Sequence, residues 1–426
     1  MSKRSFFVLS LVIVASMLLA ACGAPATEAP AAPAATDVPA APAATEAPAA
    51  TAAPAAYVCS DAIGCAVFEP GQTIKIGMGA PMTGDNAAFG QDISQAAKIA
   101  ITDAGQFQGF SFELVAEDDG GSPEGGAAVA NKFVADSQVV AIAGHIFSGA
   151  TAAAMPIYET AGLPMMSPSA TNPTLTQGKS KVFNRCVFTD AAQGKFASAY
   201  LFNKLGIKNL AIVHDGQSYG QGLAQVVSDQ FTALGGTVVA FQAITPGESD
   251  YSAALADIAS KKPEALFFGG YTAEGVVIVN QMKQAGLTGV IFFGDDGTFG
   301  QDFLDRTGAN GEGAYSTSLI PPASDSKAKF DAAYLAAYSQ PAGKLSPYSW
   351  TAYDSAATLI KSIESVAVLD GGKLYIPRAA LIAAVRATKD YQGLSGVVTC
   401  DATGECSASG PVFNVDKGGK WVEAAK

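Results

Sequence analysis

Short apolar runs rich in β-branched and aromatic residues alternate along this chain with longer segments whose apolar positions recur at helical spacing. In the first half, TIKIGM (73–78), FSFELVAE (110–117), VVAIAG (139–144) and LPMMS (163–167) read as buried strands. LAIVHD (210–215), TVVAFQA (237–243), ALFFGG (265–270) and VIFFGD (290–295) repeat the pattern later. Between them, 92–104, 149–161, 220–234 and 273–285 carry apolar residues at the steps of an amphipathic helix. Strand and helix alternating every 25 to 30 residues, roughly, predict parallel sheets covered by helices on both faces. Four units precede Lys179 and four follow Asn209, so the pattern predicts an α/β chain of two similar lobes.

In such sheets ligands bind beyond the carboxyl ends of the strands. That rule selects the turns GAPMTGDNAAFG (79–90), GHIFSGAT (144–151), SPSAT (167–171), HDGQSYG (214–220), GGYTAEG (269–275) and GDDGTFG (294–300). No G-x-G-x-x-G follows any strand, and QGKS (177–180) lacks the first glycine of a phosphate loop, having Pro173 there. Gly216-Gln217-Ser218-Tyr219-Gly220 matches the G-x-S-x-G of a hydrolase nucleophile elbow, in the strand–turn–helix setting that motif needs. An activated serine also needs a base within reach. The chain has 2 histidines, His145 and His214, and both precede Ser218, whereas the elbow fold places its histidine after the serine. The turn therefore reads as structural, with Ser218 capping the next helix and Tyr219 reaching into the cleft above. Scattered acids and isolated histidines give no metal-ligand cluster, and no cofactor is implied.

Composition adds the compartment. Lys3 and Arg4 precede an apolar run from Phe6 to Leu19, too short for a span of about 20 residues, followed by Leu19-Ala20-Ala21-Cys22. This resembles a bacterial lipoprotein processing site, which would make 1–21 a signal peptide and Cys22 the lipid-carrying first residue. Residues 22–56 are nearly all Ala, Pro and Thr and read as an extended tether with too little bulky apolar surface to fold. The rest is globular and of two-domain size. A net charge of −12 without a basic cluster argues against nucleic acid as partner. Cys59 with Cys65 and Cys400 with Cys406 enclose short loops and are expected to be disulfides in an exported chain. Cys186 is left over as a buried thiol.

Three stretches carry a family resemblance: AGHIFSGATAAAMPIYETAGLPMMSPSATNPTLT (143–176), LAIVHDGQSYGQGLA (210–224) and LFFGGYTAEG (266–275). They resemble the leucine/isoleucine/valine-binding proteins of bacterial ABC importers, and the likeness runs from about Thr73 to the end. It implies the type I periplasmic binding protein fold, two Rossmann-like lobes joined by a three-crossing hinge and closing over one amino acid. After an N-terminal segment at 57–71, lobe 1 would take 72–190 plus 320–390, and lobe 2 would take 191–319 plus 391–426. By similarity, Ser148 and Thr171 give hydroxyls to the ligand α-carboxylate. Ser148 stands before a helix beginning near Gly149, where free N–H groups and the helix dipole suit an anion. Asp296 aligns with the acid that receives the α-ammonium, a glutamate in the relative compared, and the Ser169 carbonyl and Tyr271 hydroxyl complete that shell. Asp295 beside it is the neighbouring candidate for that role, and otherwise reads as solvated or turn-forming. Phe89, Ile146, Phe147, Tyr219, Tyr271 and Tyr348 match pocket positions that select the side chain, although such aromatic residues also suit ordinary core. Phe147 replaces a smaller residue, which narrows the pocket. The lining offers no charge to a ligand side chain, favouring an uncharged one.

The resemblance thus implies a non-enzymatic, monomeric, lipid-anchored extracytoplasmic solute-binding protein, at the cell surface or in the periplasm, with a membrane permease as partner. A sensor of amino acids or of amide- or urea-like solutes, and an esterase acting through Ser218, are the competing readings.

Overall fold

A computed structural model describes residues 56–177, 180–407 and 409–424. The expected signal peptide, Cys22 and the expected tether as far as residue 55 lie outside the described residues.

Two large sheets form among the described residues, one of 6 strands and one of 7. In the first, Ile74–Ala80 lies between Phe110–Asp118 and Val139–Ile142, followed outward by Met165–Ser167 and Phe183–Arg185, all parallel. In the second, Asn209–His214 lies between Thr237–Ala243 and Ala265–Gly269, followed by Ile291–Gly294 and Tyr315–Ser318, again parallel. Each sheet thus reverses its winding direction once, beside its first strand, which is where an α/β sheet opens a ligand crevice. Val139–Ile142 and Ala265–Gly269 are buried along their whole length, as strands covered on both faces must be.

Both sheets gain a fifth parallel strand that the hydrophobic pattern does not reveal. Phe183–Arg185 and Tyr315–Ser318 are largely polar, yet Asn184, Arg185, Ser316 and Thr317 are fully buried and hydrogen-bonded. The helices begin earlier than their apolar patterns, at Ala87, Ser148, Ser218 and Thr272.

The chain changes sheets three times. After Arg185 it enters helix Asp190–Ala199, which packs on Ser218–Ala233 of the second sheet. After Ser318 it returns, and helix Ser349–Val366 packs along Ala87–Ala104 of the first. Beyond Val398 it crosses again, and Val412–Asp416 pairs antiparallel with Tyr315–Ser318. Each sheet has apolar clusters on both faces, and one cluster runs continuously from the first sheet to the second through Phe147, Tyr219, Tyr271 and Tyr348.

The N-terminal segment joins the fold by a small antiparallel sheet, Cys65–Phe68 against Lys373–Pro377. Cys59 is bonded to Cys65 and Cys400 to Cys406. Cys186 is a buried free thiol whose pKa burial pushes up.

Asp92 ties three segments of the first lobe together. Its buried carboxylate accepts hydrogen bonds from Tyr334 (2.6 Å), Ser346 (2.6 Å) and Ser349 (2.7 Å). Removing it strands several buried hydroxyls at once, so Asp92→Ala is expected to lower unfolding free energy by about 2–4 kcal/mol, read from urea midpoints.

Candidate functional site

The turns that follow both sheets meet in one place. Ile146, Phe147 and Ser148 follow Val139–Ile142, and Ser169 follows Met165–Ser167. From the other sheet come Tyr219, Tyr271 and Asp296, following the strands that end at His214, Gly269 and Gly294. Phe89, near the start of Ala87–Ala104, and Tyr348, just before Ser349–Val366, complete the ring. These side chains line one cavity of about 10 Å³, room for about one water. A larger hollow of about 550 Å³ lies elsewhere, between 173–192 and 403–410, but among the described residues its only charged lining residue is Glu405.

The cavity is small because its walls touch. The rings of Phe147 and Tyr271 stack with centroids 4.0 Å apart, and Phe89 meets both edge-on. Tyr219 donates to Asp296 Oδ1 at 2.6 Å, and Tyr348 donates to Asp296 Oδ2. Asn172 Nδ2 donates to the Ser218 carbonyl at 2.6 Å and, at 3.3 Å, to its hydroxyl. The Phe147–Tyr271, Tyr348–Asp296 and Asn172–Ser218 contacts each join the first lobe to the second, so this is a closed arrangement.

Several expectations change at this level. Ser148 is the first residue of helix Ser148–Ala161 and not its cap, which is Phe147; the Ser148 hydroxyl accepts from Asn172 N–H at 3.2 Å. Ser218 is likewise the first residue of its helix, after Gln217, so it does not cap it. The glycines around Ser218 have packing reasons. Gly216 has φ +72°, and a Cβ on Gly220 would collide with the Gly269 carbonyl of the adjoining turn. His214 Nδ1 accepts from Gly216 N–H at 3.1 Å. Ser169 uses its hydroxyl to hold the Ile146 carbonyl at 2.7 Å. Asp295 is not solvated: it is fully buried, and its Oδ2 accepts from Gly270 N–H at 2.8 Å.

The periplasmic binding protein family model matches residues 73–420. A Leu/Ile/Val-binding protein homologue of Brucella melitensis is 30% identical over 81% of this chain and 91% of its own length. The chain belongs to the leucine/isoleucine/valine-binding family of periplasmic binding proteins. An amino acid binding protein of Pseudomonas aeruginosa is 36% identical over 55% of this chain, a match spanning 63% of that relative, less than two thirds of it. Among solved structures, a leucine binding protein of Thermotoga maritima superposes with a TM-score of 0.75 at 28% identity, over 83% of this chain and 98% of that one. Members of this family are solute-binding proteins, and the type I fold they share is the one observed here.

Against that family background, two residues missed in the sequence stand out. Asp190, the first residue of Asp190–Ala199, is completely buried, and neither carboxylate oxygen has a hydrogen-bond partner among the described residues. Burial and then the neighbouring Asp296 raise its pKa well above the usual range, outweighing Thr171 and Arg185. Burial also raises Asp295 and Asp296, the first further pushed by Asp296 and the second held back by its two tyrosines. The Thr171 hydroxyl is buried and unpartnered beside them. Among the described lining residues Asp296 is the one acid, and Asp190 and Asp295 are buried near enough to interact with it. Asn172 is the second missed residue; its neighbour Thr171 drew attention, but only the fold shows the amide crossing to Ser218.

A carboxyl with a raised folded pKa holds more protons folded than unfolded. It therefore costs stability as pH rises through that folded value, and the cost is relieved as pH falls. Asp190→Asn removes such a charge without changing shape. It is expected to stabilise the protein by about 1–3 kcal/mol at about pH 8 and to add little at about pH 5, by denaturation at both pH values.

Proposed function

We propose that this chain is the extracytoplasmic solute-binding lipoprotein of an ABC importer, anchored through Cys22, that closes over an amino acid with an uncharged side chain and delivers it to a membrane permease. The observation that carries this reading is that Asp296, close enough to Asp190 to raise its pKa, shares one cavity with Ser148 at the start of helix Ser148–Ala161. The two buried acids have carboxylate oxygens that can receive an ammonium, and an ammonium between them would neutralise charge that burial otherwise penalises. The first turn of the helix offers N–H groups that have no intrahelical partner, together with the positive end of the dipole. A zwitterion satisfies both ends. The amino-acid-binding names of the relatives support the same class.

To enter, such a ligand must replace the hydroxyls of Tyr219 and Tyr348 on Asp296 and displace the Phe147 ring from Tyr271. Those contacts stabilise a closed state in their own right, so the affinity is the surplus of ligand contacts over them. Phe147 also limits the side chain that fits, favouring small or slim ones. The acyl chains on Cys22 and the proline-rich tether keep the monomeric binding unit near the permease. Its two lobes meet at the three crossings, after Arg185, after Ser318 and beyond Val398.

Calorimetry of the purified chain against the twenty amino acids tests this. Uncharged members are expected to bind. Asp296→Ala should weaken binding about 100-fold or more, as removing one partner of a buried charge pair does. Ser218→Ala should stay within about threefold, since its backbone carbonyl keeps the shorter Asn172 bond. Phe147→Ala should shift preference toward larger side chains. Silence across the whole panel would contradict the reading and direct the search to amide- and urea-like solutes.

A further inference from the structure

Asn172 bridges the first lobe to Ser218 of the second, and Asn172 is held from behind. Arg185, fully buried at the end of the last strand of the first sheet, donates through Nη1 to the carbonyls of Ala170 and Asn172, each at 2.8 Å. Those carbonyls flank Thr171. One guanidinium thereby sets the loop that turns Thr171 toward Asp190 and sends the Asn172 amide across to Ser218. The other edge of the guanidinium is occupied by Glu405. Nε reaches Oε2 at 2.9 Å and Nη2 reaches Oε1 at 2.6 Å, a bidentate pair, and Thr176 bonds both residues. Arg185 has no freedom to turn while Glu405 is in place.

Glu405 is itself fixed by the third crossing between lobes. It lies in the loop closed by the Cys400–Cys406 disulfide. Within it, Asp401 Oδ1 accepts from the N–H groups of Thr403 (2.7 Å), Gly404 (3.0 Å) and Glu405 (3.1 Å). The loop docks on the edge strand through Arg185 N–H to the Gly404 carbonyl (3.0 Å) and Cys406 N–H to the Arg185 carbonyl (2.9 Å). Gly404 has φ +98° there, and a Cβ on it would meet the Phe183 carbonyl, so this close approach requires glycine. Arg386 clamps the loop from below, Nη1 on the Ala402 carbonyl at 2.8 Å and Nε on Asn184 at 2.6 Å.

We infer that Glu405 is a positioning residue for ligand capture: held by the disulfide loop of the third crossing, it aligns Arg185, which presents Thr171 to the ligand and Asn172 to the opposite lobe. The inference rests on the amino-acid-binding reading for its affinity arm, while its structural arm is independent of any ligand. Closure and hinge geometry are coupled through this pair, because the first and third crossings run side by side where Arg185 and Glu405 meet.

The test compares wild type, Glu405→Gln, Glu405→Asp and a Cys400→Ser/Cys406→Ser variant, with Glu264→Gln as control. Glu264 accepts two backbone N–H bonds in the second lobe, at 2.6 and 2.8 Å, far in sequence from this network. Three readouts are taken: melting temperature, hydrogen exchange of the Asn172 amide, and Kd and dissociation rate for the amino acid that wild type binds best. Expected for Glu405→Gln is a Kd raised about tenfold or more, carried by faster dissociation, with faster exchange at Asn172. Glu405→Asp should recover most of that loss, the disulfide variant should fall between, and Glu264→Gln should lower the melting temperature while leaving Kd within about twofold. If Glu405→Gln does not fold, the aspartate and disulfide variants carry the same comparison. Wild-type affinity and wild-type Asn172 exchange in the folded Glu405 and disulfide variants would overturn the inference. If wild type binds no amino acid, the functional reading fails by itself, and Asn172 exchange in the same variants still supports or overturns the relay.

Discussion

The closed site depends on one carboxylate. Asp296 is buried with an acid on either side, Asp190 and Asp295, and in this arrangement it is stabilised by two tyrosine hydroxyls, one from each lobe. Burial alone would make its charge costly, and hydrogen bonds to the charged form offset that cost only while both tyrosines stay in place. The lobes are therefore drawn together around one buried carboxyl group. A cation with several donors would serve the same end better than two phenols, and this is the basis of the proposed ammonium site. The Phe147–Tyr271 stack adds apolar contact across the same gap, and such a pair contributes about 0.5–1.5 kcal/mol beyond its buried area.

The G-x-S-x-G motif shows how a catalytic signature can arise from packing. Gly220 lets the turn after Asn209–His214 touch the turn after Ala265–Gly269, and Gly216 takes a left-handed conformation. These are the requirements of two strands delivering Tyr219 and Tyr271 to one point. Ser218 is left at the helix start, where its carbonyl and hydroxyl meet an amide from the other lobe. The group that meets this serine is an amide and not a base, which suits closure over a solute.

Much of the architecture was legible because it is written in apolar periodicity. The buried runs 74–80, 139–142, 209–214 and 265–269 are strands in their expected places, and each is followed by a site turn. The fifth strand of each sheet escaped because Phe183–Arg185 and Tyr315–Ser318 bury polar side chains, which no hydrophobic pattern marks. The same blindness hid Asp190: in NRCVFTDAA it reads as a helix-start acid, and only the fold shows it sealed from water beside Asp296. Asp295 was misjudged for the related reason that two adjacent acids after a strand look like a solvated turn. Asn172 and Arg185 were invisible for a different cause, since their roles consist of contacts with residues 46 and 220 positions away.

The most direct measurement is the structure of the protein with its bound solute. The account predicts an ammonium within about 3 Å of Asp296 and Asp190, with a carboxylate at the amides that open helix Ser148–Ala161. A bound molecule lacking either group, or Asp296 still occupied by Tyr219 and Tyr348 while the solute sits elsewhere, would contradict it.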